Sequence, residues 1–84
     1  MLNVLKQRLP NGLTIDSVKI LGTKYKITFA YEGGKTEAEL PKSCPPGVHN
    51  DVADRTIITA ISTILVNRGE FTKAQEWLDK LTEK

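Results

Sequence analysis

The stretch from Asp51 to Arg68 constrains this chain most, because it is long, periodic and well bounded enough to be the central helix of a small domain. At about 100° per residue, Ala53, Ile57, Ile58, Ala60, Ile61, Ile64 and Leu65 fall on one arc of roughly 160°. That arc is the core face. The opposite side collects Val52, Arg55, Thr56, Thr59, Ser62, Thr63, Val66 and Asn67, where a solvated helix face carries several Lys and Glu. Asp51 or Asn50 is placed to cap the start, and Asp54 adds a carboxylate in the first turn, which the helix dipole favours. Gly69 stands where a C′ glycine ends the helix, just after Arg68.

Upstream, Thr14 to Pro41 reads as a three-stranded antiparallel meander, since two short turn signals separate three runs rich in β-branched and aromatic residues. Taking Gly22-Thr23 and Gly33-Gly34 as two-residue loops sets the register by counting outward. Ile20 then pairs with Tyr25 and Val18 with Ile27, while Tyr31 pairs with Thr36, Phe29 with Ala38 and Ile27 with Leu40. These side chains share one apolar face, where the central helix belongs. The other face carries Lys19, Lys24, Lys26, Thr28, Lys35, Glu37 and Glu39 and reads as solvated. Lys19 stands across from Lys26, a like-charge pair that the diagonal Glu39 is placed to relieve.

Leu2, Leu5 and Leu9 lie at helical spacing, so a short first helix covers Leu2 to Leu9 and stops at Pro10; a hairpin turn at Asn11-Gly12 is the competing reading. Lys42 to Asn50 is a loop, because Pro45-Pro46-Gly47 admits neither helix nor central strand. Thr72 and Gln75 have the spacing of a capping box. Ala74, Trp77, Leu78 and Leu81 then form the apolar stripe of a last helix reaching about Glu83, with Trp77 a core residue clamping an αα-hairpin. The expected fold is α+β: a β-meander packed on a central amphipathic helix, with short N- and C-terminal helices in the order α-β-β-β-α-α. Residues 1–84 make one domain.

A hydrophobic share of 39% and a charged share of 26% describe a globular chain, and a net charge of +2 predicts neither strong nonspecific nucleic-acid binding nor membrane attraction. With the single cysteine Cys44 no internal disulfide forms, which fits a reducing cytoplasm. The start MLNVLKQRLP lacks the pattern of a secretory signal, and no apolar run approaches the roughly 18 residues that span a bilayer. A soluble cytoplasmic protein without a membrane partner is expected.

Ligand-type chemistry gathers at one place, Cys44, His49, Asp51 and Asp54. Zinc patterns need paired Cys or His at short spacing, which these lack, and helix capping accounts for the aspartates. No metal is expected there. A Cys44–His49 nucleophile pair lacks an orienting third group, and Gly33-Gly34 lies in a hairpin rather than before a helix, so it is no phosphate loop. The chain is read as no enzyme, with no catalytic residue, cofactor or small-molecule substrate.

Lys19, Lys24 and Lys26, with Lys6 and Arg8 upstream, make the case for nucleic acid. The order helix, three strands, helix resembles the double-stranded-RNA-binding domain, which reads RNA shape with loops and helix ends. That family has a longer first hairpin loop and a lysine-rich start to its second helix, whereas here the loop is Gly22-Thr23 and the helix begins His49-Asn50-Asp51. The likeness is one of architecture. Separately, Arg68 to Leu81, RGEFTKAQEWLDKL, resembles the turn and following helix of a tetratricopeptide repeat over about a sixth of the chain. A single copy cannot form that repeat's stacked groove.

Threonine is a poorer helix former than Lys, Glu or Gln, so several on one helix face cost stability unless close packing there requires small side chains. Arg55, Thr56, Thr59, Ser62, Thr63 and Val66 are therefore expected to form a contact surface. Either the last helix covers it or a protein partner does, a second copy included. The primary reading is a small protein-interaction domain, acting as homodimer, adaptor or inhibitor. The alternative is a nucleic-acid-binding accessory protein using the lysine end of the sheet.

Overall fold

A computed structural model describes residues 1–80 of the 84. Its elements are α1 (Leu2–Gln7), β1 (Leu13–Leu21), β2 (Lys24–Tyr31), β3 (Gly34–Pro41), α2 (His49–Asn67) and α3 (Phe71–Asp79), with a 3-10 turn at Pro46–Val48 ahead of α2. The fold is α+β in the expected order, and the strands form one antiparallel sheet in the order β1-β2-β3. Among the described residues no helix is long and apolar enough to cross a membrane.

All seven residues of the apolar arc of α2 are buried. Ala53, Ile57, Ala60, Ile61 and Leu65 of that arc meet Leu5 of α1, Leu13 of β1, Ile27 and Phe29 of β2, Leu40 of β3 and Ala74 of α3 in one core cluster. Each fully buried Leu, Ile or Phe contributes roughly 2 kcal/mol by leaving water. Leu81 and the reach of the last helix to about Glu83 lie outside the described residues.

The ends of the helices differ in part from expectation. Neither Asn50 nor Asp51 caps α2; Val48 holds the cap position without a side-chain bond, and both residues lie inside the first turn. The cause is the preceding 3-10 turn, which Pro46 starts and which feeds directly into the helix. At the other end Gly69 takes the left-handed conformation (φ 79°), and the amides of Gly69 and Glu70 donate to the carbonyls of Val66 and Leu65 at 3.0 and 2.9 Å. That is a Schellman closure, and it turns the chain back into α3. Thr72 and Gln75 form no capping box: α3 starts at Phe71, Glu70 holds its cap, and Gln75 donates instead to Asp79 at 2.8 Å. Between α1 and β1, the Leu13 amide donates to the Pro10 carbonyl across Asn11-Gly12, so that turn joins helix to strand and not strand to strand.

The first hairpin has the expected register, with Val18 opposite Ile27, Lys19 opposite Lys26 and Ile20 opposite Tyr25. The second is displaced. Its loop is Glu32-Gly33, so Tyr31 pairs with Gly34, Phe29 with Thr36, Ile27 with Ala38 and Tyr25 with Leu40. Glu32 accepts a positive φ of 48° to make this turn, and Gly34 is drawn into the strand for a packing reason. A Cβ on Gly34 would collide with Cγ2 of Ile64, so glycine is what lets α2 come down onto the start of β3. Moving a two-residue loop by one position shifts the partners by two, which keeps every side chain on its expected face.

A β-bulge at Asp16 also separates Ile15, opposite Phe29, from Ser17, opposite Thr28. Its trace in the sequence is the jump of apolar positions from odd (Leu13, Ile15) to even (Val18, Ile20), which the bulge brings back to one face. The Asp16 carboxylate reaches Lys35 at 3.4 Å across the outer face.

Coverage of the inner face is uneven. α2 packs chiefly along β3, with less contact on β2. Along one cross-sheet row, Leu40 is fully buried, Tyr25 half-buried and Ile20 68% exposed. On the neighbouring row Ile27 is fully buried and Val18 36% exposed. α1, six residues and about 9 Å long, packs chiefly on α2, and that corner of β1 stays open.

Candidate functional site

α3 folds back against the flank of α2 that carries Ile58, Ser62 and Leu65, with Ala74 buried at the contact. Of the expected contact face, Ser62 is therefore taken by the monomer itself and is only 5% exposed. Its Oγ is buried without a hydrogen-bond partner. Arg55, Thr59, Thr63 and Val66 remain exposed, and Thr56 is half-buried. The Thr56 hydroxyl donates to the Val52 carbonyl at 2.9 Å and that of Thr63 to the Thr59 carbonyl at 2.8 Å, so both are satisfied within their own helix. Arg55 lies at the edge, paired with Asp51 one turn back.

Between the two helices runs an open groove lined by Thr59, Ser62, Thr63, Val66 and Asn67 of α2 and Leu78 of α3. None of the six is ionisable. Val66 and Leu78 face it as exposed apolar side chains, and Phe71, 65% exposed, stands two turns before Leu78 on α3. Chemically the groove offers methyl groups and the Thr63 hydroxyl already satisfied within its own helix, a largely apolar surface suited to burial against another apolar surface.

A second cleft forms where α1, α2 and α3 converge, with Ile57 and Ile58 at its base and Pro10, Trp77 and Lys80 on its walls. Its volume of about 260 Å³ falls below the usual range for drug-sized ligands. Arg8 bridges it with a bidentate pair to Asp54, both bonds 2.7 Å long. The Asp54 carboxylate holds the Arg8 guanidinium above its ordinary pKa, first through the hydrogen bond and then through its charge. Both groups are exposed, so the pair adds little stability. Trp77 is half-buried, with the Lys80 ammonium 3.8 Å from its ring centre. Trp77 thus packs on the core as a wall of the helical hairpin and does not reach full burial. No local pattern signals this cleft, because Arg8 and Asp54 lie 46 residues apart.

The four residues with ligand-type chemistry part company. His49 Nε2 lies 2.9 Å from the Cys44 backbone carbonyl, and the Cys44 thiol faces the Met1 thioether at 3.3 Å. Asp54 is held by Arg8 and Asp51 by Arg55. Among the described residues no three His, Cys, Asp or Glu side chains converge as a metal site.

On the outer face of the sheet, Lys24 pairs with Glu39 at 2.7 Å and Lys26 with Glu37 at 3.7 Å. The hydrogen bond and charge of Lys24, with a smaller contribution from Lys26, hold the Glu39 carboxyl below its ordinary pKa. Glu39 therefore relieves Lys24 first, and Glu37 is the partner of Lys26. Lys19 has no ion pair among the described residues. This pairing lowers the positive potential that the three lysines present to phosphate.

No family model, curated protein or solved structure matches this chain.

Proposed function

We propose that this chain is a small non-enzymatic protein-interaction domain that docks its partner in the groove between α2 and α3. One observation carries the reading: six residues from two helices line an exposed groove, and none bears a charge. An ordinary outer helix face has no reason to exclude Lys and Glu from this stretch. The open part of the surface is Thr59, Thr63, Val66, Asn67 and Leu78, while Arg55 lines the neighbouring cleft instead. A helix presenting apolar residues at i, i+3 and i+4 matches such a groove, whether it comes from a second copy or from another protein.

Light scattering over a wide concentration range, on wild type and on the double variant Thr59→Glu, Thr63→Glu, tests the idea. Both positions are exposed, so the variant keeps its fold, and circular dichroism checks that. An oligomer in the wild type that the variant loses supports docking here. If wild type stays monomeric and every partner it is found to bind is held equally by the variant, the groove is not the docking site.

A further inference from the structure

We propose that the free edge of β1 accepts an extended segment of a protein partner in which acidic residues alternate with apolar ones. β1 pairs only with β2, so the outward backbone groups of residues 17–21 are unpaired in the sheet. The other edge, β3, is defended: it ends in Pro41, carries Glu37 and Glu39, and lies under α2. On β1 the side chains facing the helices are Val18 and Ile20, 36% and 68% exposed. Those facing outward are Ser17, Lys19 and Leu21.

Charge selects the occupant. Lys19 stands beside Lys26 with no acidic side chain paired to it, and Lys26 turns toward Glu37 on the far side. An added strand that sets Asp or Glu opposite Lys19 neutralises this cation while its flanking apolar residues cover Val18 and Ile20. A second copy does not meet these terms. Antiparallel pairing of 17–21 with itself places Lys19 opposite Lys19, and like charges directly opposed are destabilising. The bulge at Asp16 bends the strand just before this segment, which limits the added strand to the part after it. Recognition here is by main-chain hydrogen bonds, with side-chain alternation supplying the specificity. The surface is separate from the helical groove, and its test does not depend on that groove.

The probes are two end-blocked synthetic peptides, one alternating Val and Glu and one alternating Val and Lys, titrated into the isotope-labelled full chain and followed by NMR. The acidic peptide is expected to perturb residues 17–21 and slow their amide exchange. It should bind about fivefold or more tighter than the basic one, the scale of one opposed charge pair. Lys19→Glu should reverse the preference, and methylating alternate peptide nitrogens should abolish binding. Equal affinity for both peptides overturns the proposal, as does the absence of any protection at 17–21. Protection of 17–21 that rises with protein concentration alone, without peptide, overturns it in favour of a second copy.

Discussion

The two sides of the sheet's inner face follow the same alternation of apolar and polar residues and meet opposite fates. Under α2, Leu40 and Ile27 are sealed, and at Gly34 the helix comes so close that no side chain fits. At the β1 corner, Val18 and Ile20 occupy equivalent positions in the pattern yet meet solvent. Periodicity says which face of a strand is apolar. It does not say how far across that face a helix will reach.

The largest effect that separates the two sides is truncation along one row. Leu40→Ala should cost about 3 kcal/mol, the scale for a fully buried leucine, whereas Ile20→Ala should cost no more than about 0.5 kcal/mol. Urea melts of both variants decide it; equal losses would mean that the β1 corner is covered and the contrast false.

Next comes the close approach at Gly34. Gly34→Ala should destabilise by about 2 kcal/mol, the usual size of an overpacking strain. Ile64→Ala removes the methyl group it meets, so the double variant should fall short of the summed losses by about 1 kcal/mol. Additive losses would show that Gly34 serves the turn alone. In that event the displaced register would lack the packing cause assigned to it.

The smallest effect lies on the outer face and concerns protonation. Lys24 lowers the pKa of Glu39, so this pair stabilises the fold above the ordinary carboxylate range. That contribution fades as pH falls through the lowered value, where the native carboxyl takes up its proton. In an NMR titration, Lys24→Met should return Glu39 toward its ordinary pKa, and Lys19→Met on the open edge should leave it in place. A Glu39 value indifferent to Lys24 would remove the electrostatic difference between the two sides.

Much of the fold was legible in the residues themselves. The seven-residue arc of α2, the order of the elements, the first hairpin register and the stop at Gly69 all follow from local rules of period, turn chemistry and capping. The second register was misplaced because Gly33-Gly34 is the better turn signal in isolation, and the competing demand came from Ile64, thirty residues away in sequence. Of the candidate contact face, the sequence located the helix side but not the division within it. Ser62 and Thr59 are three residues apart on neighbouring parts of one helix, and only the docking of α3 buries the first while leaving the second exposed.

The sequence by itself determined which segments are helix or strand and which side of each is apolar, since both depend on residues a few positions apart. The tertiary structure alone decided where α2 lies across the sheet, which residues of its hydroxyl-rich side form a groove, and that Arg8, Asp54 and Trp77 share a cleft. Those outcomes depend on the distance of closest approach between surfaces far apart in the chain. A single missing Cβ at Gly34 sets that distance between α2 and β3, and no local period encodes it.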